Sequence, residues 1–178
     1  MEDEKDRSLS RETAGRISAI QLERSGSMKR AAIYVEDRLA TYALPGEVKG
    51  FETGKTIYRE QLRTLQEHYE RRAYLQAIRF LSRRDRSVRE VRQHLRTKGW
   101  DGPACERAVD KLRQEGFLED KVFAQKWVDY RARTAPRSCR VMAQELEQKG
   151  IARETIHDAV ATMDENALAL ACAKKKIF

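Results

Sequence analysis

The spacing of apolar residues changes along the chain. From Gly15 to about Pro45 it alternates with period two. Ile20 and Leu22 form one run, Ile33 and Val35 a second, and Leu39 to Leu44 a third rich in Tyr and Thr. Ser25-Gly26-Ser27 and Glu36-Asp37-Arg38 interrupt the runs with turn-forming residues, which predicts a small antiparallel sheet of two or three strands. Such a sheet is marginal alone and must lean on a helix. Pro45-Gly46 ends it, and Gly50 to Thr56 reads as a loop. From near Thr56 the period becomes helical: Ile57, Leu62, Leu65, Tyr69, Ala73, Ala77 and Phe80 hold one face through Leu81. The intervening Gln, Glu and Arg are good helix formers.

Beyond this helix the pattern repeats. Arg86 to Leu112 (RSVREVRQHLRTKGWDGPACERAVDKL) returns without a gap, 51 residues later, as Arg137 to Met163 (RSCRVMAQELEQKGIARETIHDAVATM). Nine of 27 positions are identical, where unrelated sequence of ordinary composition would share roughly two. Apolar character persists at Val91/Met142, Trp100/Ile151, Cys105/Ile156 and Leu112/Met163. A repeat of this period sets the architecture.

In the first copy Ser87 and Glu90 form a capping box at a helix N-terminus. Val88, Val91 and Leu95 share a face, and Lys98-Gly99 closes the helix. Asp101 can cap a second helix that admits Pro103 in its first turn and carries Cys105, Ala108, Val109 and Leu112. Gly116 ends it. The second copy has Val141 where the box wants Glu, so its entry is expected to be looser. Two short helices cannot bury these stripes alone. The covering helix lies upstream, through Ala73, Ala77, Ile78, Phe80 and Leu81 in one case and Val122, Phe123, Trp127, Val128 and Tyr130 in the other. The expected chain is mostly α. It has a polar tail over 1–13, a β region over 14–55, the long helix with the first three-helix repeat over 56–116, the second repeat over 117–163, and the first helix of an incomplete third over 164–178.

The 178 residues carry 36 Lys and Arg against 28 Asp and Glu, a formal net charge of +8, with no long apolar run. A soluble cytoplasmic monomer without membrane span or signal segment is the expectation. Cys105, Cys139 and Cys172 stand singly, and the first two align with Ile156 and Val88; reduced core thiols are expected. His94 and His157 align with Glu145 and Glu106 outside the apolar stripes, which predicts exposed histidines, and His68 stands alone. With no nucleophile triad, phosphate loop or metal-ligand spacing, neither an enzyme nor a cofactor is expected.

Internal repeats provide a control: residues shared by both copies serve the scaffold first, and residues in one copy are free for other work. Lys98/Lys149 and Gly99/Gly150 are shared helix ends. Arg86/Arg137 and Arg89/Arg140 are shared as well, and either brace each unit or bind twice. Arg83 to Lys98 holds seven basic and two acidic residues. Arg89, Arg92 and Arg96 lie on one face, yet Arg92 and Arg96 become Ala143 and Glu147 in the second copy. The fold therefore does not require that face to be basic. Arginine suits bidentate contact with phosphate or carboxylate, so Arg83, Arg84, Arg92 and Arg96 form the candidate surface of the first unit. Arg131, Arg133 and Arg137 make a second cluster, and Lys174-Lys175-Lys176 a third that reads as solubilising. Trp100, Phe117, Phe123 and Trp127 fall on stripes or junctions and are assigned to packing rather than base stacking.

AIRFLSRRDRSVREVRQHLRTKGW, then LRQEGFLEDKVFAQKWVDYRAR and ELEQKGI, together resemble the RecX family of bacterial recombinase regulators. The resemblance is strong from Ala73 to Met163 and weaker over Gly15 to Thr56. It implies tandem three-helix repeats in an elongated, curved body. It also implies binding along the groove of a RecA–DNA filament, suppressing filament growth, ATPase, strand exchange and co-protease activity, with no cofactor. Two departures stand out. Relatives usually carry a complete third repeat, so this chain reads as truncated. They also often have Asp-Gly at the strand turn where Asp37-Arg38 stands, so that hairpin is expected to be less secure. The competing readings are a helix-turn-helix-like protein binding DNA directly and a helical-repeat adaptor for an acidic protein. Neither short helix gathers Asn, Gln and Arg at its first turn for reading base edges.

Overall fold

The computed structural model of the chain describes residues 12–164 together with Asn166, Leu168, Leu170 and Ala173. The expected tail lies outside these residues except for its last two positions, and Lys174, Lys175 and Lys176 lie outside them too. Strands β1 (Thr13–Ser25), β2 (Met28–Val35), β3 (Arg38–Ala43) and β4 (Thr56–Tyr58) come first. Helices α1 (Arg59–Leu81), α2 (Val88–Lys98), α3 (Gly102–Gln114), α4 (Asp120–Thr134), α5 (Cys139–Gln148) and α6 (Arg153–Ala161) follow. The architecture is mostly α, with a small antiparallel sheet followed in the chain by two tandem three-helix domains. The backbone groups into two compact units, one built from Met1–Ala77 and His94–Ala108, the other from Ile78–Gln93 and Val109–Phe178.

In the first unit the sheet has strand order β3-β2-β1-β4, every pair antiparallel. The expected two or three strands are thus four, because Thr56–Tyr58 pairs with the start of β1 before α1 begins. Ile57 belongs to that strand and not to the helix, and it is fully buried with Ile17, Ile33, Val35 and Ala43. Leu65 of α1 closes this core, with Leu62 at its margin. Leu22, counted among the alternating core positions, is 70% exposed, although Ala31 opposite it in the ladder is fully buried. The turn between β2 and β3 is Glu36-Asp37, both at positive φ (47° and 61°). This is the conformation that favours Asn-Gly or Asp-Gly. Here side chains support it: Glu36 Oε1 accepts the Arg16 N–H at 2.8 Å, and Ser18 Oγ accepts the Asp37 N–H at 2.9 Å.

The end of α2 is fixed backbone to backbone. Gly99 has φ 106°, and a Cβ there would come within 1.7 Å of the Ser25 carbonyl oxygen, so no other residue fits. Arg30 secures the same corner, donating to the Gly99 carbonyl at 3.2 Å and lying 3.8 Å over the Tyr42 ring. Tyr42, Tyr69 and Trp100 continue the contact as tilted ring pairs, with centroids 5.9 and 4.7 Å apart.

In the second unit Phe123, Ala124, Val128, Met142, Leu146, Ile151, Ile156, Ala159 and Leu168 form the core. Three expected apolar positions lie outside it. Val122 is exposed because it sits about 100° along the helix from Phe123, on the side away from Ala124. Tyr130 is exposed near the end of α4. Phe117 is 60% exposed, and its neighbour Leu118 fills the α3–α4 junction instead. The first-copy stripe behaves as the pattern requires: Val88, Val91, Leu95, Cys105, Ala108, Val109 and Leu112 are all buried.

Candidate functional site

The local chemistry begins at the capping boxes. In the first copy both reciprocal bonds form: Ser87 Oγ accepts the Glu90 N–H at 3.2 Å, and Glu90 Oε2 accepts the Ser87 N–H at 3.0 Å. In the second, Ser138 accepts the Val141 N–H at 3.4 Å and no side chain returns the bond. Repeat-equivalent serines therefore differ in use. Ser87 is fully buried and donates its own hydroxyl to the Lys149 carbonyl at 2.7 Å, while Ser138 is exposed. Asp120 adds a further link by accepting the Val88 N–H at 2.9 Å.

Nine of the ten arginines singled out above belong to the second unit; Arg96 belongs to the first, where it pairs with Glu106 at 3.6 Å. Around Glu90, Arg84 donates at 2.9 Å, Lys149 at 3.4 Å, and Arg86 stands at 3.9 Å. Burial pushes the Glu90 carboxyl up, but the Ser87 N–H, Arg84 and Lys149 outweigh it and hold it below the usual range. Arg86 is half-buried, lies 4.1 Å over the Phe80 ring, and has a buried Nε without a hydrogen-bond partner. Burial, then repulsion from Arg84, pulls its guanidinium down.

On α4, Arg131 makes a two-point contact with Glu145, Nε and one terminal nitrogen each at 2.8 Å. The same carboxylate accepts the Trp127 indole N–H at 2.9 Å. Lys149 Nζ sits 4.2 Å over the Trp127 ring and Arg131 5.1 Å from it. Arg92 is half-buried. Arg83, Arg89, Arg133, Arg137 and Arg140 are exposed, and among the described residues none of the five has an ion-pair partner.

The roles of Lys149, Glu145 and Asp120 escape a reading of the sequence that treats Lys149 only as a helix end. One signal was available. Trp127, Arg131 and Glu145 replace Gln76, Phe80 and His94 of the first copy together, as interacting residues must. His94, expected to be exposed, is half-buried. Burial raises the Cys105 thiol to about 11, with Asp101 adding to it; Cys139 is half-buried. Among the described residues no helix is long and apolar enough to cross a membrane, and no cluster of His, Cys, Asp and Glu is arranged to hold a metal.

Fold and surface together define a tandem three-helix repeat protein with an N-terminal antiparallel sheet and, on one compact unit, a set of arginines without ion-pair partners among the described residues. Residues 73–112 match the family model for the first three-helix domain of RecX, and residues 120–160 match that for the second. The regulatory protein RecX of Chlorobium phaeobacteroides is 31% identical over 107 residues, covering 60% of this chain and 71% of that protein. The chain belongs to the RecX family of regulatory proteins. The regulatory protein RecX of Geobacillus thermodenitrificans is 34% identical over 101 residues, 57% of this chain and 38% of that protein. One from a Mycobacterium species (strain JLS) is 34% identical over 98 residues, 55% of this chain and 54% of its own length. Matches to these two therefore span about half of the relative or less. A crystal structure of a regulatory protein RecX superposes with TM-score 0.60 at 23% identity, over 90% of this chain and 79% of the other. RecX from Lactobacillus salivarius gives 0.56 at 23% identity, over 60% and 71%. These likenesses concern the fold.

Proposed function

We propose that the chain binds, as a monomer, along the groove of a RecA–DNA filament and suppresses its ATPase, strand-exchange and co-protease activities. On this reading it carries out no chemistry of its own. The observation that carries the reading, beside family membership, is the unpaired set Arg83, Arg89, Arg133, Arg137 and Arg140 on one compact unit. The copies diverge here in a telling way: Arg86 is half-buried in its own unit, whereas its repeat-equivalent Arg137 is exposed. Arg84, Arg92 and Arg131 of the same unit contribute to the field around this set, and Arg86 completes the proposed surface there; Arg96 is a separate candidate contact on the other unit.

The test is single-stranded-DNA-dependent ATPase of a RecA filament with and without the chain, beside binding to naked DNA over a salt series. The expected result is inhibition with a preference for the coated filament. Reversing Arg83, Arg133 and Arg137 to Glu should raise the half-inhibiting concentration by about tenfold, roughly 1.4 kcal/mol, with helical content unchanged. Naked-DNA binding that falls steeply with salt, without preference for the filament, would establish the helix-turn-helix-like alternative.

A further inference from the structure

The second unit contains a polar cleft of about 520 Å³ lined by Arg89, Glu90 and Gln93 of α2, Trp127 and Arg131 of α4, and Glu145, Gln148 and Lys149 at the end of α5. Its polar groups divide sharply into used and unused. Glu145 is saturated by Trp127 and Arg131. Glu90 is saturated by the Ser87 N–H, Arg84 and Lys149. The Arg89 guanidinium and the amides of Gln93 and Gln148 have no hydrogen bond or ion pair among the described residues. Arg89 is nonetheless held in place. Its methylenes lie so close over Gly150, at φ 78°, that a Cβ there would meet Arg89 Cδ at 2.3 Å. A fixed stem with an unused head is a preorganised donor.

We propose that this cleft receives the carboxylate of an Asp or Glu in an extended segment of a protein partner. Arg89 offers the planar fork that matches a carboxylate. Gln93 and Gln148 each carry a donor and an acceptor, as the peptide groups flanking that side chain require. A nucleic-acid strand fits less well. Its charges recur about every 3.4 Å of helix axis per strand, so phosphates beside the bound one would approach Glu90 and Glu145. Base stacking has no clear face either, since Lys149, Arg131 and Phe123 already lie against the Trp127 ring. The proposal deepens the filament reading by assigning this face to the protein component, and it rests on that reading only for the partner's identity.

The test uses the full chain labelled with nitrogen-15 and follows the Trp127 indole N–H, whose acceptor Glu145 lines the cleft. The probes are acetyl-Gly-Glu-Gly-amide, its Gln counterpart, inorganic phosphate and an oligothymidylate, the small probes taken to tens of millimolar. The expected result is a saturable shift with the Glu peptide, at least several-fold larger than with the Gln peptide, while the Trp100 indole stays still. Arg89→Met keeps the stem on Gly150 and should abolish the shift; Arg89→Lys should restore part of it. Equal responses to the two peptides, a response to phosphate or oligothymidylate alone, or no response to any probe would overturn the proposal. Filament cosedimentation separates the two readings. A peptide response without filament binding sinks the RecA assignment and leaves the cleft, and filament binding without a peptide response does the reverse.

Discussion

Ser87→Ala removes one oxygen from a fully buried position that makes two bonds across the repeat. The first is the N-cap acceptance from Glu90 at 3.2 Å, and losing a cap of this kind costs about 1 kcal/mol. The second is the donation to Lys149 at 2.7 Å; leaving a buried partner unmatched costs about 1–3 kcal/mol more. The total is about 2–4 kcal/mol, on the order of 10 °C in Tm for a chain of this size. The repeat supplies its own control. Ser138→Ala, at the equivalent exposed position, loses one cap bond of 3.4 Å and no donated bond, so about 0.5 kcal/mol is expected. Urea titration of both variants, followed by far-ultraviolet circular dichroism, reads the difference as a shift in midpoint at constant slope. Equal midpoints for the two variants would refute the reasoning, because they would mean that the Ser87–Lys149 bond contributes nothing beyond capping.

Asp37→Gly, placing a residue suited to positive φ in the β2–β3 turn, should raise stability by about 0.5–1 kcal/mol, the relief of the left-handed backbone (about 1–2 kcal/mol) less the chain entropy a glycine adds to the unfolded state (about 0.4–1 kcal/mol), measured by thermal melting; destabilisation would show that the Asp37 side chain outweighs the backbone relief. Cys105, in a Cys139→Ser, Cys172→Ser chain, should react with a disulfide reagent far more slowly folded than in guanidinium, because burial keeps the thiol protonated up to about 11. Glu90 is ionised more readily folded than unfolded, so its contribution is present above the unfolded carboxylate pKa of about 4.3 and is lost as pH falls through its lower folded value. The stability difference between wild type and Glu90→Gln should therefore shrink on acidification, and a difference constant from neutral to strongly acidic pH would contradict that assignment.

The sequence by itself determined the elements and their reuse. Period-two spacing marked the sheet, helical spacing marked α1, and the ungapped echo of Arg86–Leu112 in Arg137–Met163 required two equivalent helical modules. These features depend on which side of a strand or helix is apolar, and periodicity records that directly. Tertiary structure alone decided how equivalent residues are used. Both serines cap a helix, but only Ser87 is buried against a carbonyl 62 residues away. Gly99 and Gly150 both end a helix, yet one lies against Ser25 and the other beneath Arg89. Among the arginines, a count of charges could not separate those tied to Glu90 and Glu145 from those left unpaired, because pairing depends on carboxylates brought in from distant turns. The fourth strand was hidden for the same reason: three residues ending in Tyr58 carry no period of their own, and only the start of β1 makes them a strand.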